Sequence, residues 1–150
     1  MLWFDTQAEE AAKFYIAVFK NSKIKQITHY GKEFSEKKGQ VMTVSFELNG
    51  QEFTALNGGP QFKFTEAISL VINCETQDEI DYYWERLTSD GGEEVQCGWL
   101  TDKYGFSWHV VPTKIAGWTR DAAGFQRVMR AIMPMKKLEI AALQRAYDWK

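Results

Sequence analysis

"DTQAEEAAKFY", Asp5 to Tyr15, is echoed seventy residues later by "ETQDEIDYYWE", Glu75 to Glu85. Ala8, Ala11, Ala12, Tyr15 and Phe19 in the first copy recur at three- and four-residue steps, as do Ile80, Tyr83, Trp84 and Leu87 in the second. That spacing predicts two amphipathic helices. Asp5 or Thr6 is expected to cap the first, whose opening turn carries Glu9 and Glu10. Thr76 caps the second with Glu79 three residues on, and Gly91-Gly92 closes it.

The flanks of the helices match as well. The apolar scrap Met1 to Phe4 precedes one and "AISLVINC", Ala67 to Cys74, precedes the other, so each helix follows a strand. After the first come "KIKQITHYG", then "QVMTVSFEL", in which Met42, Val44, Phe46 and Leu48 alternate with Thr43, Ser45 and Glu47, then "QEFTALN". Asn49-Gly50 joins the last two as a two-residue hairpin turn. After the second come "EEVQC", a short "GWL", a turn from Asp102 to Gly105, and "FSWHVVP".

Each half therefore reads strand, helix, strand, strand, strand, with "NGGPQFKFTE" as the link. One such βαβββ unit cannot cover both faces of its own sheet, so the expected fold is α+β, two paired modules over about 1–57 and 66–112. Beyond Pro112 the pattern is helical only, in a tail over 113–150. Val128, Met129, Ile132 and Met133 form one apolar cluster, Pro134 interrupts, and a second helical stretch runs through Leu138, Ala141, Ala142, Arg145 and Tyr147.

At 150 residues the chain has the size of one domain. Its 45% hydrophobic and 25% charged residues are globular proportions, and no stretch approaches the roughly 18 apolar residues of a membrane span. With no export signal visible, a soluble cytoplasmic protein is expected. A net charge of -2 with scattered Lys and Arg argues against nucleic acid as partner. Cys74 and Cys97 are too few and too far apart for a disulfide framework or a zinc cluster, and are read as buried thiols.

Six tryptophans and ten phenylalanines are a heavy aromatic load. Phe14, Phe19 and Trp84 fall on helix and core positions. Trp3, Phe53, Trp99 and Phe106 lie on strands or turns where they could wall a pocket for a flat or apolar small molecule, although core packing accounts for them equally. Asn57-Gly58-Gly59-Pro60 could offer amides to a ligand oxygen, or serve only as a linker. His109 alternates with Trp108 and Val110, which sends Ser107, His109 and Val111 to the opposite face. It is either a hydrogen-bonded structural histidine or a base toward a small polar ligand. His29 reads as an exposed turn histidine, and Asp102 to Gly105 as a tight turn.

"LWFDTQAEEAAKFY", "LNGGPQFKFTEAISL", "CGWLTDKYGFSWHVVP" and "RVMRAIMPMKKLEIAALQRAY", in this order, resemble the PhnB-like branch of the vicinal oxygen chelate superfamily, which carries a demethylubiquinone methyltransferase label. The resemblance implies curved sheets forming an open cleft, often within a homodimer. It also implies, for active members, a divalent metal held by the first and last strands of each module. In this chain the first such position falls before Met1, the second is Ala67, the fourth strand offers only Asn57, and the last offers His109 where a carboxylate is usual. No metal and no other cofactor is therefore expected. Nor is methyl transfer, because no glycine-rich strand-to-helix turn is present. The reading is a metal-free small-molecule binder with an aromatic cleft of Trp3, Phe53, Asn57, Gly58, Gly59, Trp99 and Phe106; the alternative is an isomerase- or lyase-type enzyme with His109 as base.

Overall fold

The computed structural model describes residues 1–149 and divides into two compact units, Met1–Phe64 and the chain from Thr65 on. The first unit runs β1 (Leu2–Phe4), α1 (Ala8–Val18), β2 (Lys23–His29), β3 (Val41–Leu48) and β4 (Gln51–Asn57). Its sheet has the order β1-β4-β3-β2, with β1 parallel to β4 and the other pairs antiparallel. Ala8, Ala11, Ala12, Tyr15 and Val18 form the buried stripe of α1. Tyr15 stacks on Phe46 at 6.3 Å, and Val44, Phe46 and Leu48 are buried with it. The hairpin turn is as expected: Asn49 and Gly50 both take positive φ, 47° and 86°, and set Leu48 opposite Gln51.

The start of α1 differs from expectation. Neither Asp5 nor Thr6 caps it; Gln7 is the N-cap residue and makes no side-chain cap bond. The Ala8 N–H instead donates to Asn57 Oδ1 at 2.8 Å, so the acceptor arrives from the last strand of the module.

The second unit repeats the plan as β5 (Ser69–Cys74), α2 (Gln77–Thr88), β6 (Glu93–Glu94), β7 (Trp99–Thr101) and β8 (Ser107–Pro112), in the sheet order β5-β8-β7-β6. Here the capping box forms: Thr76 Oγ1 accepts from the Glu79 N–H at 3.2 Å, and Glu79 Oε2 accepts from the Thr76 N–H. Helix α2 ends at Thr88, and a short 3-10 turn, Ser89–Gly91, follows before the glycines finish the reversal. Ile80, Trp84 and Leu87 are buried on its inner side, as are Leu100, Trp108 and Val110 of the sheet. The expected turn at Asp102 is built on a buried carboxylate. It accepts from the Tyr104 and Phe106 N–H groups and from Trp108 Nε1 at 2.8 Å.

The tail forms α3 (Ile115–Trp118), α4 (Ala122–Ile132) and α5 (Ile140–Asp148). Val111, Trp118, Val128, Ile132, Leu138 and Leu143 make its core, and the Gln77 side chain bonds the Leu138 carbonyl and the Ile140 N–H. The tail is thereby fastened to the second module. The apolar cluster read from the sequence splits by helix face, since Val128 and Ile132 are buried while Met129 and Met133 are exposed. Cys97 also departs from expectation: Cys74 is fully buried, but Cys97 is only partly so and sits at a φ of 61°. Among the described residues no helix is long and apolar enough to cross a membrane.

Candidate ligand-binding faces

Each module packs a helix on one face of its sheet, and strand alternation assigns every side chain to that face or the other. On the first sheet, directly paired residues give the face away from α1 three rows: Lys23–Glu47–Glu52, Gln26–Ser45–Thr54, and Thr28–Thr43–Leu56–Trp3. The Thr28 and Thr43 hydroxyls meet at 2.6 Å, as residues sharing a face should. Over the middle row lies a recess of about 630 Å³, lined by Met1, Lys25, Gln26, Ser45, Glu52 and Thr54 with the edges of Phe46 and Phe53. Lys25 and Glu52 form an ion pair at its rim.

The corresponding row of the second sheet carries bulkier side chains. Val71 pairs with His109 and His109 with Trp99, while the Val95 N–H donates to the Trp99 carbonyl at 2.9 Å and continues the row. The Trp99 and His109 rings stack at 3.7 Å with an interplanar angle of 1°. Trp99 Nε1 donates to Ser69 Oγ at 3.2 Å, a bond that reaches from β7 across β8 to β5. Val71, Val95 and Trp99 remain 56%, 41% and 38% exposed.

His109 therefore lies on the face away from α2, as the alternation requires. Its Nε2 is 3.0 Å from the Cys97 carbonyl oxygen, which can only accept, so Nε2 carries the proton and the lone pair is on Nδ1. Burial pushes its pKa below the ordinary histidine value, partly opposed by that hydrogen bond. The ring is neutral at neutral pH. The Cys74 thiol is also held neutral, with burial and the Glu79 charge pushing its pKa up to about 12.

The other expected site residues do not form one cleft: Phe53 lines the recess of about 630 Å³, whereas Asn57 and Gly59 line a second one of about 320 Å³. Phe53 pairs with Phe46 and stacks on it at 5.5 Å, which places it on the helix-covered face. Phe106 is buried edge-on against Trp108, also under the helix. Asn57 is committed to structure: Oδ1 caps α1, Nδ2 donates to the Val41 carbonyl, and its own carbonyl accepts from the Tyr30 hydroxyl. The Gly58 and Gly59 N–H groups both donate to the Phe4 carbonyl, so neither is offered to a ligand. Trp3 reaches the face away from the helix, but its Nε1 donates to the Gly59 carbonyl at 2.8 Å and its indole lies against Gly58. A Cβ at position 58 would come within 2.2 Å of that ring, which is why glycine stands there. His29 is exposed at the end of β2.

Sequence reasoning missed the row Gln26–Ser45–Thr54. A usable signal existed, because a two-residue turn at Asn49-Gly50 fixes Leu48 opposite Gln51 and hence Ser45 opposite Thr54. Among the described residues no three His, Cys, Asp or Glu side chains converge as metal ligands would.

Residues 1–111 match the family described as 3-demethylubiquinone-9 3-methyltransferase. Among solved structures, the chain is similar to a PhnB protein of Bacillus cereus, 38% identical over 75% of this chain and 95% of that one, with a TM-score of 0.67. A protein of Pseudomonas aeruginosa, 18% identical over 74% of this chain and 92% of its own, shares the fold with a TM-score of 0.62. No curated protein matches.

Proposed function

From a chain that belongs to the 3-demethylubiquinone-9 3-methyltransferase family, PhnB-like in its relatives, we propose a small-molecule binding protein that works without a metal. The paired βαβββ plan supports placing it in the vicinal oxygen chelate superfamily. The observation that carries the proposal is the recess of about 630 Å³ on the uncovered face of the first sheet, a volume within the range of small-ligand sites.

Methyl transfer, which the family description names, fits these residues poorly. A sulfonium donor of the usual kind needs free amides at a glycine-rich strand-to-helix turn. The turns that lead from β1 into α1 and from β5 into α2, Asp5-Thr6-Gln7 and Glu75-Thr76-Gln77, are acidic and without glycine. The Ala8 amide that follows the first donates to Asn57, and in the second Glu75 and Thr76 donate to Glu79. Catalysis by His109 is the weaker reading, because its ring is stacked face to face on Trp99.

The test is elemental analysis of the purified protein beside a thermal-shift screen of a fragment library, since a ligand of the native state raises apparent stability. The expected result is far less than one divalent ion per chain and at least one stabilising fragment. One tightly held ion per chain would overturn the metal-free part. We also propose cytoplasmic residence and a homodimer, the latter supported by sheets that end in open strands. Light scattering that returns the mass of one chain would remove the dimer.

A further inference from the structure

The two modules carry equivalent rows. Asn57 ends the last strand of one opposite Phe4, and Pro112 ends that of the other opposite Cys74. Counting back along each strand, Met1, Thr54, Ser45 and Gln26 stand where Val71, His109, Trp99 and Val95 stand in the second module. In the second module large side chains lie along this row. The Trp99 indole is laid across β8, held at one edge by Ser69 and along its plane by His109. In the first module Thr54, Ser45 and Gln26 put polar side chains at three of these positions, Met1 stands at the fourth, and a recess lies over them.

We propose that the recess of the first module takes an uncharged flat heterocycle edged with hydrogen-bonding groups, seated over Ser45 and Thr54 as the second module seats its own indole. This inference rests on the small-molecule reading above and names the ligand class. Shape comes from the second module, whose row shows that a planar bicyclic ring lies across three paired strands, β7, β8 and β5. Polarity comes from the first. The Ser45 and Thr54 hydroxyls each donate and accept, and the Gln26 amide does both, so an apolar occupant would strand them, whereas a ring with its own donors and acceptors would not. Charge follows from the rim, where Lys25 and Glu52 pair with each other.

The test is an amide and indole NMR titration of the full chain with three probes: nicotinamide, which is flat and polar, cyclohexanecarboxamide, which is polar but not flat, and indole, which is flat but poor in acceptors. Nicotinamide is expected to shift the amides of Gln26, Ser45 and Thr54 and to bind roughly fivefold tighter than either comparator. Ser45→Trp, which builds into the first module the plug that the second already has, is expected to abolish those shifts. Thr54→Val, a near-isosteric change that spares the fold should Ser45→Trp not, is expected to weaken nicotinamide roughly tenfold. Equal binding of cyclohexanecarboxamide would overturn the flat-ring class while leaving small-molecule binding in place. Shifts confined to the Trp99 indole and the strands beside it would overturn the choice of module. Silence of all three probes overturns this inference, and the function falls with it only if the fragment screen is also empty.

Discussion

Helix α1 and helix α2 open on nearly the same words, Thr6-Gln7-Ala8-Glu9 and Thr76-Gln77-Asp78-Glu79, yet only the second caps itself. In α2 the threonine and glutamate exchange bonds across one turn. In α1 the equivalent glutamate pairs with Lys13 at 2.7 Å, and the helix takes its acceptor from Asn57, 49 residues away. A local motif is thus a standing offer, and a tertiary partner with better geometry can displace it. The uncovered faces diverge in the same manner, with one row left open over hydroxyls and the other closed by a stacked pair.

The sharpest way to break this comparison is to remove each cap. Asn57→Ala deletes the α1 acceptor and the bond to the Val41 carbonyl in a buried site, and is expected to cost about 2–4 kcal/mol in denaturant unfolding. Thr76→Ala deletes one exposed cap bond and is expected to cost about 1 kcal/mol. Equal losses would mean that Asn57 does no more than an ordinary cap.

The smallest effect belongs to the closed row. His109→Gln keeps a donor for the Cys97 carbonyl and loses the ring contact with Trp99, an expected loss of under about 1 kcal/mol at neutral pH. The pH dependence gives a clearer signature. The folded pKa of His109 is depressed, so the unfolded chain takes up a proton that the folded chain refuses. The stability this group contributes is complete above its unfolded pKa near 6.5 and is lost as pH falls through that value toward the folded one. The glutamine variant should therefore lose less stability than the parent between neutral and mildly acid pH. An unchanged acid limb would show that the imidazole is more open to solvent than its stacking implies.

Much of this was legible in the residues. Periodicity placed both helices, the Asn49-Gly50 turn fixed a hairpin register, and strict alternation put His109 on the face away from α2. What escaped was whatever depends on partners far apart in the chain. Asn57 looked like a ligand group because its sequence neighbours are glycines, whereas its real partners are Ala8, Val41 and Tyr30. Phe106 was counted as a pocket wall on aromatic character, although alternation from Trp108 already sent it toward the helix, whereas Phe53 packs on Phe46 and also lines the recess. Cys97 was read as buried on residue type, and its left-handed backbone carries no mark in a single sequence.

The reach of Asn57 to Ala8 also sets an order of events during synthesis. Helix α2 carries its own cap within residues 76–79 and can complete its first turn as soon as that stretch leaves the ribosome. Helix α1 closes its first backbone bond locally, Ala11 N–H to the Gln7 carbonyl, but the acceptor for its Ala8 N–H is translated 49 residues later, at the end of the strand that completes the sheet. Until then the amino-terminal turn frays in water, and it locks only when β4 docks beside β1. The amino-terminal cap of α1 is therefore completed only with the sheet, whereas that of α2 is complete within its own first turn.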